Sequence, residues 1–363
     1  MLKETYQIPA LPPPGAIETI AVLKEAARAH RFLAELKGRA AAMPNPGILI
    51  DTLSLQEAKA SSEIENIVTT QDEMFQASLF PDIQGSPAAK EVALYAKALL
   101  GGFERMGEQH GLLTNNNIIA MFQTLKRSAA GFRNTPGTAL RNEQSGEIVF
   151  VPPQHGDDII RHMTALEAFI NDDASTLDAL VRMAIIHHQF ESIHPFPDGN
   201  GRIGRIINVL YLTKEGLLDF PILYLSRFIT ASKPDYYRLL RQVGETGEWE
   251  PWLLYMIRGV GETARTTLDL IDAITALMAE TKQRLRADHP KLYSQDLLNN
   301  LFRHPYTRIE FVQRDLGVTR QTAARYLEQL VSGGLLEKQQ AGRNSYFVNA
   351  PLMALFTGGR TAY

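Results

Sequence analysis

The sequence predicts a mainly α protein whose helical body carries one small β-hairpin and closes on three short helices and a second hairpin. Three observations predict this. Apolar residues recur at three- and four-residue spacing over most of the 363 residues, as in Leu177, Leu180, Val181, Ala184 and Ile185. β-Prone runs are confined to Ile148-Val149-Phe150-Val151 and the stretch from Leu335 to Val348. Proline and glycine clusters at Pro44-Asn45-Pro46-Gly47 and from Pro81 to Pro87 cut the helical tract into elements.

The chain opens extended, because Pro12, Pro13 and Pro14 favour polyproline geometry and cannot sit in a helix interior. From Ile17 to Ala42, Ile20, Leu23, Ala27, Phe32, Leu33 and Leu36 mark a helix. A second helix is expected from about Ser54 to Asn66. After Pro87, Val92, Leu94, Ala98 and Leu99, then Ile118, Met121, Phe122 and Leu125, continue the helical pattern. Ser145-Gly146 is expected to turn a hairpin into the 148–151 run. Helical spacing resumes at Ile159 and lasts to about Leu285. The end of the chain reads as a helix on Leu297, Leu298, Leu301 and Phe302, and a short one from Phe311 to Leu316 stopped by Gly317. A third follows from Thr319 to Val331 with Thr319 as N-cap, then two strands around Ala341-Gly342-Arg343-Asn344. Three helices followed by a hairpin is the pattern of a winged helix.

A composition of 45% hydrophobic and 21% charged residues is that of a globular protein, and the length calls for two or three domains. The absence of cysteine excludes disulfides, thiolate metal sites and a cysteine nucleophile. No signal peptide or membrane-length apolar run is evident, so a cytoplasmic protein without membrane contact is expected. A net charge of −3 gives no global attraction to polyanions.

The chemistry concentrates in His194-Pro195-Phe196-Pro197-Asp198-Gly199-Asn200-Gly201-Arg202-Ile203-Gly204-Arg205. Gly199 and Gly201 can turn successive N–H groups towards an anion, and a helix starting near Asn200 adds its free N–H groups. Arg202 and Arg205, three apart, lie over that turn and suit a di- or triphosphate. Asp198 is placed to hold a Mg²⁺ that bridges phosphates, and a neutral His194 can accept a proton from a hydroxyl. Phe196 is expected to point inward. Taken alone, the Gly-x-Gly part favours a structural turn whose arginines pair with carboxylates. His187 and His188 beside His194 invite a metal-hydrolase reading, but adjacent histidines face different sides of a helix and packing is the better account.

The run resembles the signature of the Fic family, His-x-Phe-x-Asp/Glu-Gly-Asn-Gly-Arg-x-x-Arg, at every fixed position. The resemblance implies a Fic-type helical core in which the hairpin near Ser145 is a flap over the site. It implies an enzyme that transfers AMP from ATP, with Mg²⁺, to a Ser, Thr or Tyr hydroxyl of a protein. His194 would be the base and Asp198 the metal ligand. Glu65, His194, Gly199, Asn200, Gly201, Arg202, Ile203, Gly204 and Arg205 would line the ATP site, with Tyr237 in the nucleotide pocket. Ser61, Glu65 and Asn66 are similar to the family's inhibitory motif, Ser/Thr-x-x-x-Glu-Gly/Asn, in which the glutamate pairs with the second arginine, here Arg205. An exposed glutamate at a helix end is the plainer alternative, and a water-positioning role in AMP removal stays open. So do a nucleotide-sensing regulator and a donor other than ATP.

Thr319, Arg320, Gln321, Thr322 and Arg325 on the third helix of the winged helix, with Lys338 and Arg343 on the wing, are candidate DNA contacts. Residues 288–349 carry eight Lys/Arg against six Asp/Glu, a footprint that leaves DNA and protein docking open. The expected division is 1–109 for the helical region with the inhibitory helix and 110–260 for the catalytic core. A connecting helix would span 261–287 and the winged helix 288–363. The target protein is unspecified, the chain itself included, and a homodimer stays open.

Overall fold

The computed structural model describes residues 6–43, 45–79, 86–141, 146, 148–341 and 344–357. The mainly α expectation is met: fifteen helices and five short strands are described.

Helix α1 (Ile20–Ala41) starts where the Thr19 hydroxyl accepts the Val22 N–H at 3.3 Å. Its buried face is Val22, Ala26, Ala29, Leu33, Leu36 and Ala40, whereas Ile20 is 75% and Leu23 44% exposed. The helix is where it was expected, but its packing face is rotated. The alanines explain this, because they let it lie close along α11 (Glu250–Asp288): a Cβ at Gly261 would sit 3.3 Å from the Cα of Ala29. α11 runs unbroken through the 260/261 division set above, so core and connecting helix are one element.

Helix α2 (Gly47–Ile64) begins earlier than the expected Ser54. Proline immediately before a first turn is tolerated, and the Asn45 side chain accepts the Gly47 N–H at 3.0 Å. Burial of Ile48, Leu49 and Leu53 then recruits the whole segment. α3 (Gln71–Leu79) and α4 (Pro87–Glu108) follow; Pro44 and 80–85, the remainder of the two expected breaks, lie outside the described residues. α4 crosses α5 (Asn115–Lys126) and α8 (Asn200–Lys214) at Gly102, where a Cβ would lie 3.0 Å from Leu210.

Strands β1 (Leu140–Arg141) and β2 (Ile148–Phe150) pair antiparallel, Leu140 opposite Phe150, as the hairpin expectation required. Ser145, on which that expectation centred, lies outside the described residues. After α6 (Gly156–Ile170), α7 (Ala179–Ile193) and α8 form the centre of the core, and almost every residue of both is buried. The six residues 194–199 connect them. α9 (Ser226–Ala231) and α10 (Lys233–Thr246) lead into α11.

The C-terminal unit contains α12 (Gln295–Arg303), β3 (Tyr306–Thr307), α13 (Ile309–Leu316) and α14 (Arg320–Ser332). It ends with β4 (Glu337–Ala341), β5 (Asn344–Val348) and α15 (Ala350–Thr357). The three helices, the Thr319 cap and the two strands are as expected. β3, which joins the edge of β5, and α15 were not anticipated. Two residues are too few to display strand alternation. Residues 342–343, with the candidate contact Arg343, lie outside the described residues.

Candidate active site

The 194–199 loop is built by its own side chains. His194 caps α7 in the left-handed region (φ 49°), which turns the chain sharply towards α8. Phe196 is fully buried and stacks on Phe122 with ring centroids 4.1 Å apart. Arg133, which the sequence reading passed over, is buried and donates from Nε to the His194 carbonyl at 2.8 Å, while its own N–H donates to the Pro195 carbonyl at 2.8 Å. Gly199 precedes α8 at φ 76°, a conformation that suits glycine. The first N–H groups of α8 then have no intrahelical acceptor.

Asn200 has a different task from the one implied. Its side chain accepts from the Phe196 N–H and donates to the Phe196 carbonyl, both at 2.8 Å, so its amide closes the loop and is not offered to a phosphate. Ile203 is fully buried in the core and its N–H is spent on the Gly199 carbonyl at 3.1 Å, whereas the backbone N–H of Asn200, the first residue of α8, has no intrahelical acceptor. Gly204 supplies room: a Cβ there would lie 2.5 Å from the Glu191 carboxyl. Gly201 does the same for Glu65, since a Cβ would collide with that carboxylate and lie 2.9 Å from Arg205 Nη1.

Burial, aided by the nearby Arg133 charge, pushes the His194 pKa down to about 4, against the opposing pull of the Glu191 carbonyl, Glu65 and Asp198. The imidazole is therefore neutral and proton-accepting at pH 7. His187 and His188 are buried as well. His187 bonds the Tyr236 hydroxyl at 2.7 Å and the Asn208 amide at 3.0 Å, so both of its ring nitrogens are engaged in the core. Glu191, also missed, has a buried Oε1 with no partner among the described residues, and burial pushes its pKa up to about 8.

Both arginines are 2% exposed and both meet carboxylates. Arg205 donates from Nη2 to Glu65 at 2.8 Å, from Nε to the Ser61 hydroxyl at 2.7 Å, and from Nη2 to the Ser61 carbonyl at 2.9 Å. Burial works against the Arg205 charge, but Glu65 and neighbouring groups outweigh it and raise the guanidinium pKa above its ordinary value. Glu65 caps α2, and Asn66 follows at φ 60°, which is the physical reason for asparagine or glycine there. Arg202 donates to Glu91 of α4. Glu91 lies 3.5 Å from Lys126 of α5, and Lys126 lies 2.6 Å from Asp198. Burial pulls the Asp198 pKa up, but Lys126 and Arg202 pull it below the ordinary value. Glu91 and Lys126 stand 111 and 72 residues from their partners, and no local spacing pointed to either. Tyr237 is 39% exposed on α10 and packs edge-on against Tyr236, centroids 5.1 Å apart.

A Mg²⁺ requirement can be tested against these donors. Among the described residues no three His, Asp or Glu side chains converge on one point. Asp198 is a single carboxylate, 65% exposed. That donor set fits a hard cation held mainly by substrate phosphates and water.

The sequence profile of the Fic/DOC family matches residues 112–212, and that of the Fic/DOC family N-terminal region matches 23–104. The chain belongs to the Fic/DOC family. Residues 277–352 match the C-terminal domain of SoFic-like protein adenylyltransferases. Over 187 residues the Fic/DOC chain is 32% identical to a probable protein adenylyltransferase of Aquifex aeolicus (strain VF5), covering 50% of this chain and 55% of that protein. Over 114 residues it is 28% identical to the protein adenylyltransferase fic-1 of Caenorhabditis elegans, covering 31% and 20% respectively. It thus spans about half the length of the first of these relatives and a fifth of the second. A Fic family protein from Desulfovibrio desulfuricans G20 shares the fold at a TM-score of 0.58 and 20% identity, over 93% of this chain and 98% of that one. A Fic domain containing signaling protein from Bacteroides thetaiotaomicron VPI-5482 does so at 0.54 and 17%, over 68% and 98%. Among the described residues no helix is long and apolar enough to cross a membrane.

Proposed function

We propose that this chain is a protein adenylyltransferase that moves AMP from ATP onto a protein hydroxyl and is restrained by Glu65. The observation that carries the reading is a buried imidazole, its pKa lowered, at the start of the 194–199 loop, and a buried Arg205, held by the Glu65 carboxylate, on the helix that follows the loop. His194 takes the proton of the target hydroxyl. The oxygen forms a bond to the α-phosphorus of ATP, the bond from that phosphorus to the bridging oxygen breaks, and pyrophosphate leaves. The free N–H groups of α8 and the guanidiniums of Arg202 and Arg205 bind the departing phosphates. Asp198 is the residue that would hold Mg²⁺, whose chemistry there is to shield phosphate charge. Tyr237 offers a ring face to the base of the nucleotide.

Glu65 occupies one Nη of Arg205, and Ser61 occupies Nε and shares the fork. A γ-phosphate needs the same donors, so the α2 terminus and a productively seated ATP exclude each other. A cytoplasmic setting, where ATP is abundant, agrees with this chemistry.

For the C-terminal unit we infer a winged helix that docks protein and not DNA. Arg320, expected to face DNA, pairs with Glu310 at 2.8 Å, and Lys338 pairs with Glu328, so two of the basic side chains are already balanced.

ATP labelled at the α-phosphate tests the reaction. Label in protein from α-labelled ATP, none from γ-labelled ATP, and release of pyrophosphate support AMP transfer. Label from the γ position, or from UTP in preference to ATP, contradicts it.

A further inference from the structure

Building on the adenylyltransferase reading, we propose that Glu91 and Lys126 form a second restraint, separate from Glu65, that selects the metal–ATP complex over its components. Four side chains of alternating charge run Arg202, Glu91, Lys126, Asp198, contributed by α8, α4, α5 and the connecting loop. Arg202 is a donor that a triphosphate needs, and Asp198 is the carboxylate that a divalent cation needs. Glu91 occupies the first as a phosphate oxygen would, and Lys126 occupies the second as the cation would, at 2.6 Å.

The hold on Arg202 is incomplete. Its Nη1 donates to Glu91, but its buried Nε has no acceptor among the described residues. The guanidinium therefore keeps a donor that Glu91 does not satisfy and a phosphate can. Lys126 lies against the loop: a Cβ at Gly199 would be 3.6 Å from Lys126 Cδ and 3.5 Å from Arg202 Nη2.

When a metal–triphosphate complex enters, phosphate oxygens take Arg202 and the cation takes Asp198. Glu91 and Lys126, already 3.5 Å apart, keep each other. Every charge retains a partner, so the exchange costs little. Metal-free ATP can displace Glu91 but leaves Lys126 on Asp198. Free metal can displace Lys126 but leaves Glu91 on Arg202. With one component alone, Lys126 stays drawn to Asp198 or Glu91 stays drawn to Arg202, so only the complex lets Glu91 and Lys126 close fully on each other. Glu91 and Lys126 are positioning residues, acting through Arg202 and Asp198.

The test uses the full chain carrying Glu65→Gly and reads binding, not turnover. Calorimetry gives the affinity for ATP in chelator, and a Mg²⁺ titration gives the free Mg²⁺ at which ATP affinity is half-way to its metal-saturated value. Lys126→Met leaves Glu91 wholly on Arg202, so metal-free ATP binds about threefold more weakly while the Mg²⁺ requirement falls about threefold, the scale of one partly exposed ion pair. Glu91→Gln does the reverse: metal-free ATP binds more tightly and the Mg²⁺ requirement rises. Crossed signs in the two variants support the exchange. Changes of the same sign in both, as damage to the fold would give, or no change in either, overturn it. If the Glu65→Gly parent binds no ATP at any Mg²⁺ concentration, the adenylyltransferase reading itself falls and takes this proposal with it.

Discussion

The Glu65 carboxylate lies 2.8 Å from Nη2 of an Arg205 that is 2% exposed, and the two residues are 140 positions apart in the chain. The arginine is rigidly placed in the core, whereas Glu65 is one-third exposed at a helix terminus. Of the two partners, the glutamate is the one that can leave.

Ser61 shares that contact, so its hydroxyl should contribute to the restraint. A hydrogen bond to a charged group contributes about 1.5–3 kcal/mol. Ser61→Ala removes one acceptor and leaves Glu65 and the Ser61 carbonyl in place. Basal AMP transfer is expected to rise about tenfold, the low end of this scale because the Ser61 carbonyl still holds the fork, and less than with Glu65→Gly. An unchanged or reduced rate in a normally folded Ser61→Ala protein contradicts the shared role.

The αL geometry of Asn66 predicts a stability difference. At φ 60° glycine is unstrained, while alanine costs about 1–2 kcal/mol. Asn66→Gly should keep the denaturation midpoint near that of the parent, and Asn66→Ala should lower unfolding free energy by about 1 kcal/mol in urea titrations. Equal midpoints for the two variants would show that α2 ends differently.

The depressed pKa of His194 sets the acid limb of the reaction. Its protonated form is disfavoured by burial and by Arg133, so the ring stays neutral down to about pH 4, well below the ordinary 6.5. kcat/KM reports the free enzyme. In the Glu65→Gly protein it should hold from pH 7 to 5 and fall only as pH nears 4. A limb centred at 6.5 would place the base in a more open environment.

If the basic residues of the C-terminal unit are spent on carboxylates, duplex DNA should bind only non-specifically. Fluorescence anisotropy with a mixed-sequence duplex pool at 150 mM salt should give a Kd of about 10 µM or weaker. Selection of a duplex that binds below about 0.1 µM would restore the DNA reading.

The sequence was most legible where function is local. The 194–205 run and the 61–66 run were each singled out within a dozen residues, and the fold brings Glu65 and Ser61 onto Arg205. Helix existence was readable from apolar spacing, but the packed face of α1 was not. Its contact with α11 depends on Ala26, Ala29 and Gly261, whose small size carries no hydropathy signal. The loop-closing role of the Asn200 amide was not legible, because the same group can serve a ligand or its own loop and only the fold shows its contacts. Glu91, Lys126 and Arg133 stayed hidden because each meets its partner through tertiary contact.

Restraint by Glu65 is tested most directly by initial rates of AMP transfer from α-labelled ATP. The variants compared are wild type, Glu65→Gly, and Glu65→Gly with His194→Ala. Loss of one partly buried charge-assisted contact predicts a rise of about 10- to 100-fold for Glu65→Gly. Addition of His194→Ala should abolish it. Equal rates in wild type and Glu65→Gly, with ATP bound by both, would contradict the account.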